Sequence, residues 1–134
     1  MGDAAGAPEL GCARCWPPEP AAAWEAHRAL TRATELVDES HFHVALLVCP
    51  RCAQRFVWVF TEEIDWADGE DPQSCSMLPI TQAEADGLVR DGASVTEARL
   101  SALGPGRRCL QHEYPKRAPP RTTWGSGLFV GPHD

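Results

Sequence analysis

A chain of 134 residues, 43% of them apolar, can bury one modest core and is too short for two independent ones. Its net charge of −7 is uneven: residues 1–104 carry 17 acidic and seven basic side chains, whereas residues 105–134 carry two and five. An acidic body repels nucleic acid at long range, so general nucleic-acid binding is disfavoured and only the short basic end offers phosphate an attractive surface.

The apolar run at residues 44–48 falls far below the roughly 20 residues of a membrane-spanning helix, and residues 1–11 have neither the basic start nor the apolar core of an export signal. A soluble, cytoplasmic chain without membrane attachment is the expectation. Residues 1–11 read as a loose lead-in, and Pro17, Pro18 and Pro20 suit the approach to a helix. Over residues 21–39, Ala26, Leu30, Ala33 and Val37 recur at helical spacing, which predicts one long helix with a single apolar face.

Two β-rich runs follow, residues 41–48 and 54–60, joined by Cys49-Pro50-Arg51-Cys52. A hairpin closing symmetrically about that tip puts Phe42, Val44, Leu46, Val57 and Val59 on one face. His41, His43, Ala45, Leu47, Phe56, Trp58 and Phe60 then share the other. Residues 62–71 hold six carboxylates around Trp66 and read as an exposed loop, without the alternate-position ligands of a calcium site. Two capping boxes, Thr81 with Glu84 and Ser94 with Glu97, predict short helices over residues 82–90 and 95–103, closed by Gly92 and Gly104. Beyond Gly104 the Pro and Gly content leaves room for two short extended pieces, residues 108–114 and 123–130.

Six cysteines in a chain expected to stay in a reducing compartment point to metal ligands or free thiols before disulfides. Cys12-Ala13-Arg14-Cys15 and Cys49-Pro50-Arg51-Cys52 are two Cys-x-x-Cys turns, each aiming two thiolates at one point. Together they supply the four soft ligands of a tetrahedral zinc ion. Cys75 and Cys109 have no matching turn and read as small buried residues. His41 and His43 lie too far along their strand, roughly 20 Å from Cys49, to share that metal. Cys109 and His112 form no catalytic pair by themselves, because no orienting group or oxyanion donor accompanies them.

The two cysteine turns resemble the paired knuckles of small bacterial zinc-ribbon proteins, and the Arg-rich, Asn-free composition resembles the codon bias of a GC-rich bacterial genome. Rubredoxin, which holds iron in the same kind of site, is a weaker resemblance: it has Gly after each pair, where this chain has Trp16 and Ala53. The resemblance implies a metal and no particular activity.

The expected architecture is α+β: a zinc-ribbon-like hairpin packed with a long helix, two further short helices and an irregular C-terminal tail. Residues 1–104 would form the zinc-ribbon domain and residues 105–134 a Pro/Gly-rich basic tail, partly extended. The expected function is non-enzymatic, a zinc-stapled module for a protein partner, since a closed four-Cys site leaves no open metal position. A nucleic-acid-binding ribbon using the basic tail is the first alternative, and a rubredoxin-like electron carrier the second.

Overall fold

Alternation decides the centre of the protein. The computed structural model describes residues 10–133; residues 1–9, most of the expected lead-in, lie outside the described residues. Six strands, β1 (Thr31–Glu39), β2 (Phe42–Val48), β3 (Arg55–Glu62), β4 (Gln73–Ile80), β5 (Arg108–Tyr114) and β6 (Arg121–Ser126), form one antiparallel sheet in sequence order. β2 and β3 pair symmetrically about the cysteine tip, from Phe42 opposite Thr61 to Val48 opposite Arg55. The two faces of this hairpin are therefore those that alternation predicts.

Among the described residues, three short α-helices accompany the sheet: α1 (Pro20–Ala26), α2 (Gln82–Asp91) and α3 (Glu97–Ser101). On one face α2, α3 and the residues after them cover Val44, Leu46, Val57, Val59, Leu78 and Ile80 with Ala85, Leu88, Leu100, Leu103 and Leu128. On the other face Cys15, Trp16 and Ala23 pack on Leu47, Phe56, Met77 and Leu110. The sheet is thus buried on both sides, as two largely apolar faces require.

The long helix over residues 21–39 does not form. The chain is helical only as far as Ala26, passes through a 3-10 turn at His27–Ala29, and becomes strand β1 at Thr31. The physical reason lies in the register, which slips by one residue between Arg32 and Thr34 and again between Glu35 and Val37. With one extra residue in each step, Thr31, Thr34 and Val37 face one side of the sheet, and Arg32, Glu35 and Asp38 the other. The repeat of β1 becomes three rather than two, and the predicted stripe is no single face: Ala26 and Leu30 precede the strand, Ala33 has no partner in the register, and Leu30 packs on the opposite side of the sheet from Val37. The bulges and the charged side chains also suit an edge strand, which must not pair with other molecules.

Nor is the tail irregular. β5 spans the first predicted extended piece, and β6 starts two residues before the second and ends at Ser126, so both complete the same sheet as the hairpin. β4 carries no strand pattern in the sequence, in part because it contains Pro79. That residue lies past Met77, where pairing with β5 stops, and its carbonyl instead accepts from Arg107 Nη1 at 2.9 Å.

α2 begins where its capping box predicts: Thr81 Oγ1 accepts from Glu84 N at 3.1 Å, and Glu84 Oε1 accepts from Thr81 N at 2.8 Å. α3 starts later than predicted because Thr96, not Ser94, caps it, accepting from Arg99 N at 3.2 Å. Thr81→Ala removes one half of the α2 box and is expected to cost about 1 kcal/mol in urea unfolding.

The acidic loop is held by the chain itself. Asp65 accepts from the backbone N–H groups of Ala67 and Asp68, and Lys116 Nζ lies 2.9 Å from both Asp65 and Asp68. Arg117 pairs with Asp68 and Glu70. The Lys116 ammonium is the main reason that the Asp65 carboxyl is lowered from 3.8 to about 2. A depressed carboxyl stabilises the folded loop fully above about pH 4, and that contribution disappears as pH falls through about 2. An NMR titration is expected to place the Asp65 midpoint near pH 2, with faster amide exchange at Ala67 and Asp68 below it.

Candidate metal centre

Each half of the centre is a tight turn closed by backbone hydrogen bonds. In the first, Trp16 N donates to Cys12 O at 2.9 Å and Cys12 N points at Cys15 Sγ at 3.2 Å. In the second, at the β2–β3 tip, Ala53 N donates to Cys49 O and Cys49 N to Gln54 O, both at 2.9 Å. Ala53 takes the left-handed conformation, φ 65°, at a position where rubredoxins use Gly.

The turns bring their sulfurs together. All four Sγ atoms of Cys12, Cys15, Cys49 and Cys52 lie within 4.8 Å of one another. Cys12 to Cys15 is 3.5 Å, Cys15 to Cys52 3.8 Å and Cys12 to Cys49 4.0 Å. Four thiolates about 2.3 Å from a central ion stand about 3.8 Å apart at the corners of a tetrahedron, so the observed spacing fits a metal of that size. It is also far longer than the roughly 2.05 Å of a disulfide, and all six cysteines are free.

Cys15 and Cys49 are buried, while Cys52 is exposed and Cys12 half-buried. The backbone N–H of Cys15, foremost among several donors, pulls the Cys12 thiol down to about 6, whereas burial pushes Cys15 upward. Sulfurs this close cannot all ionise without a cation between them, so a metal is the natural neutraliser. A divalent ion on four thiolates still leaves a formal double negative charge, and each turn carries an arginine, Arg14 and Arg51, next to a ligand.

The first turn is docked by aromatic packing. The Trp16 ring lies 5.3 Å from Phe56 and 5.0 Å from Trp124, and the Arg108 guanidinium sits 4.0 Å over Trp124. Trp124 Nε1 donates to Pro18 O at 2.8 Å. Comparisons with protein-family models, curated proteins and solved structures give no match to this chain. The sulfur geometry therefore carries the functional argument alone.

The remaining sequence candidates lie elsewhere. Cys75 and Cys109 are buried apart from the centre, and burial pushes the Cys75 thiol up to about 12. Cys109 faces the α2 and α3 side, while His112 faces the opposite side, stacked on Trp24 at 3.9 Å, so the two do not act together. His41 pairs with Glu62 at 3.0 Å and His43 with Asp38 at 3.1 Å. Glu35, Asp38 and the half-buried His43 group near the β1 edge, Glu35 paired with Arg32 and Asp38 with His43. The sequence reading missed Gly11, Gln54 and Trp16 as supports of the centre, because nothing in cysteine spacing marks the residues around the turns.

Proposed function

We propose that this chain is a small zinc-binding protein whose Cys12, Cys15, Cys49 and Cys52 hold one structural zinc ion, and that it acts as a non-enzymatic module for a protein partner. The observation that carries the metal is the tetrahedral spacing of four free thiols. A bound zinc would supply no reaction here; it would neutralise the thiolates and staple the N-terminal segment to the hairpin tip. Zinc is preferred to iron on the knuckle resemblance, since four thiolates suit either ion. Elemental analysis of protein purified without added metal is expected to find one zinc per colourless chain. Iron, with visible charge-transfer bands, would replace this reading with the electron-carrier one.

A protein partner is favoured by Trp66, 86% exposed at the tip of a loop that ion pairs hold in place. Exposed aromatics on ordered supports are typical anchors of protein interfaces. The nucleic-acid alternative loses support because the basic residues of the C-terminal stretch are engaged within the chain. Arg107 pairs with Glu84, Arg121 with Glu113, and Lys116 and Arg117 with the acidic loop, while Arg108 stacks on Trp124. Titration with single-stranded oligonucleotide at low salt is expected to show no binding; salt-sensitive binding would revive that alternative. A cytoplasmic location belongs to the same proposal, four reduced thiols being its requirement. No helix of the described residues is long and apolar enough to cross a membrane.

A further inference from the structure

Gln54 lies in the β2–β3 connection, two residues beyond Cys52, and belongs to both halves of the centre. Its backbone carbonyl accepts from Cys49 N at 2.9 Å, closing the second cysteine turn. Its side chain reaches the first turn, 43 residues away in sequence, where Oε1 accepts from Gly11 N at 2.9 Å. The amide nitrogen donates to Arg55 O at 2.7 Å and to Ile80 O, at the end of β4, at 2.8 Å.

A carboxamide has one oxygen to accept and two N–H groups to donate, and here each is used. The orientation follows from the partners, since Gly11 offers a donor while Arg55 and Ile80 offer carbonyls. A flipped amide would set donor against donor and oxygen against oxygen. Gly11 is equally constrained: its φ is +83°, and a Cβ there would stand 2.8 Å from Trp16 Cβ. The N–H that Gln54 holds thus belongs to a residue with little freedom, immediately before Cys12.

We propose that Gln54 is a positioning residue for the metal centre, its side-chain amide locking the Cys12–Cys15 turn to the Cys49–Cys52 turn so that the four sulfurs converge before a metal arrives. This rests on the reading of the four cysteines as a metal site. Without the lock, the first turn is held to the sheet only from its C-terminal side, by aromatic packing and by the hydrogen bonds of Trp124 to Pro18 O and Arg108 to Trp16 O, and the ion bears more of the ordering cost itself. Partners that orient ligands typically change metal affinity by about 10- to 100-fold when removed.

The test compares Gln54→Met, similar in shape but without the amide, with wild type and with Gln73→Leu. Gln73 hydrogen-bonds Glu62 at the opposite end of the sheet, so its loss controls for a general loss of stability. Zinc and cobalt affinities are measured by competition with a chromophoric chelator at fixed pH. Gln54→Met is expected to weaken both by about 10-fold or more, while still binding one ion with a tetrahedral four-thiolate cobalt spectrum. Gln73→Leu is expected to match wild type.

Wild-type affinity in Gln54→Met, or an equal loss in both variants, would overturn the proposal. Failure of wild type to bind either ion would instead overturn the metal reading, and the positioning role with it. A measurement on wild type covers the case in which Gln54→Met does not fold. In metal-free protein the Gly11 amide is expected to be protected from hydrogen exchange, and exchange at the free-peptide rate would show that no lock exists before the metal.

Discussion

Cys49→Ser is expected to abolish metal binding and to loosen the N-terminal segment, which the Gln54–Gly11 and Trp124–Pro18 hydrogen bonds still tie to the sheet. Cys49 is 3% exposed and follows directly on β2, so the substitution removes one of the four clustered sulfurs proposed as ligands. Structural zinc contributes roughly 10–16 kcal/mol in small peptides that fold only with metal. Here the loss is smaller, because the face covered by α2 and α3 keeps its own core of Val44, Leu46, Val57, Leu88 and Leu100.

A destabilisation of about 4 kcal/mol or more is expected, seen as a melting temperature lower by about 14 °C or more. The sheet should remain, with Trp16 emission shifted to the red and new protease cuts between Cys15 and Leu30. Cys52→Ser, at an exposed position, should lose the metal equally while disturbing packing less. Full metal content and wild-type melting in either variant would show that the four cysteines are not a metal site.

Phe56→Ala is expected to cost about 3–5 kcal/mol in chemical denaturation, the usual range for deleting a fully buried aromatic side chain. Phe56 has no exposed surface, packs on Trp16 at 5.3 Å and lies directly beneath the first cysteine turn. Its loss should therefore also loosen the docking of that turn. Trp58 shares the same sheet face, and alternation alone treats the two as equally buried. In the structure Trp58 is only half-buried, with the Arg32 guanidinium 5.1 Å from its ring, so Trp58→Ala should cost less, about 2 kcal/mol. Equal losses would mean that the N-terminal cover extends further along β3 than Leu30.

Local chemistry was enough for several parts of this protein. The β2–β3 hairpin and its register follow from strict alternation on both sides of a cysteine tip, and the start of α2 from one capping box. The identity of the four converging cysteines follows from two Cys-x-x-Cys turns, because each turn fixes two sulfurs with no help from the rest of the chain. β5 was legible as an extended piece for the same reason, its pattern being local.

What depends on pairing partners was not legible. β1 was not legible because Ala26, Leu30, Ala33 and Val37 fall at helical spacing while belonging to a helix end, a connection, a bulge and a strand, and the bulges exist only relative to the neighbouring strand. β4 became a strand because β3 and β5 flank it, against the preference of Pro79. The basic C-terminal residues looked available to a partner until the fold set Lys116 and Arg117 beside the acidic loop 47 to 51 positions earlier. Gln54 read as the first residue of a strand, with no further role, until the fold brought Gly11 and Ile80 within reach of its amide. In each case the deciding contact joins residues far apart in sequence, where composition and spacing carry no signal and only the closed sheet determines which groups meet.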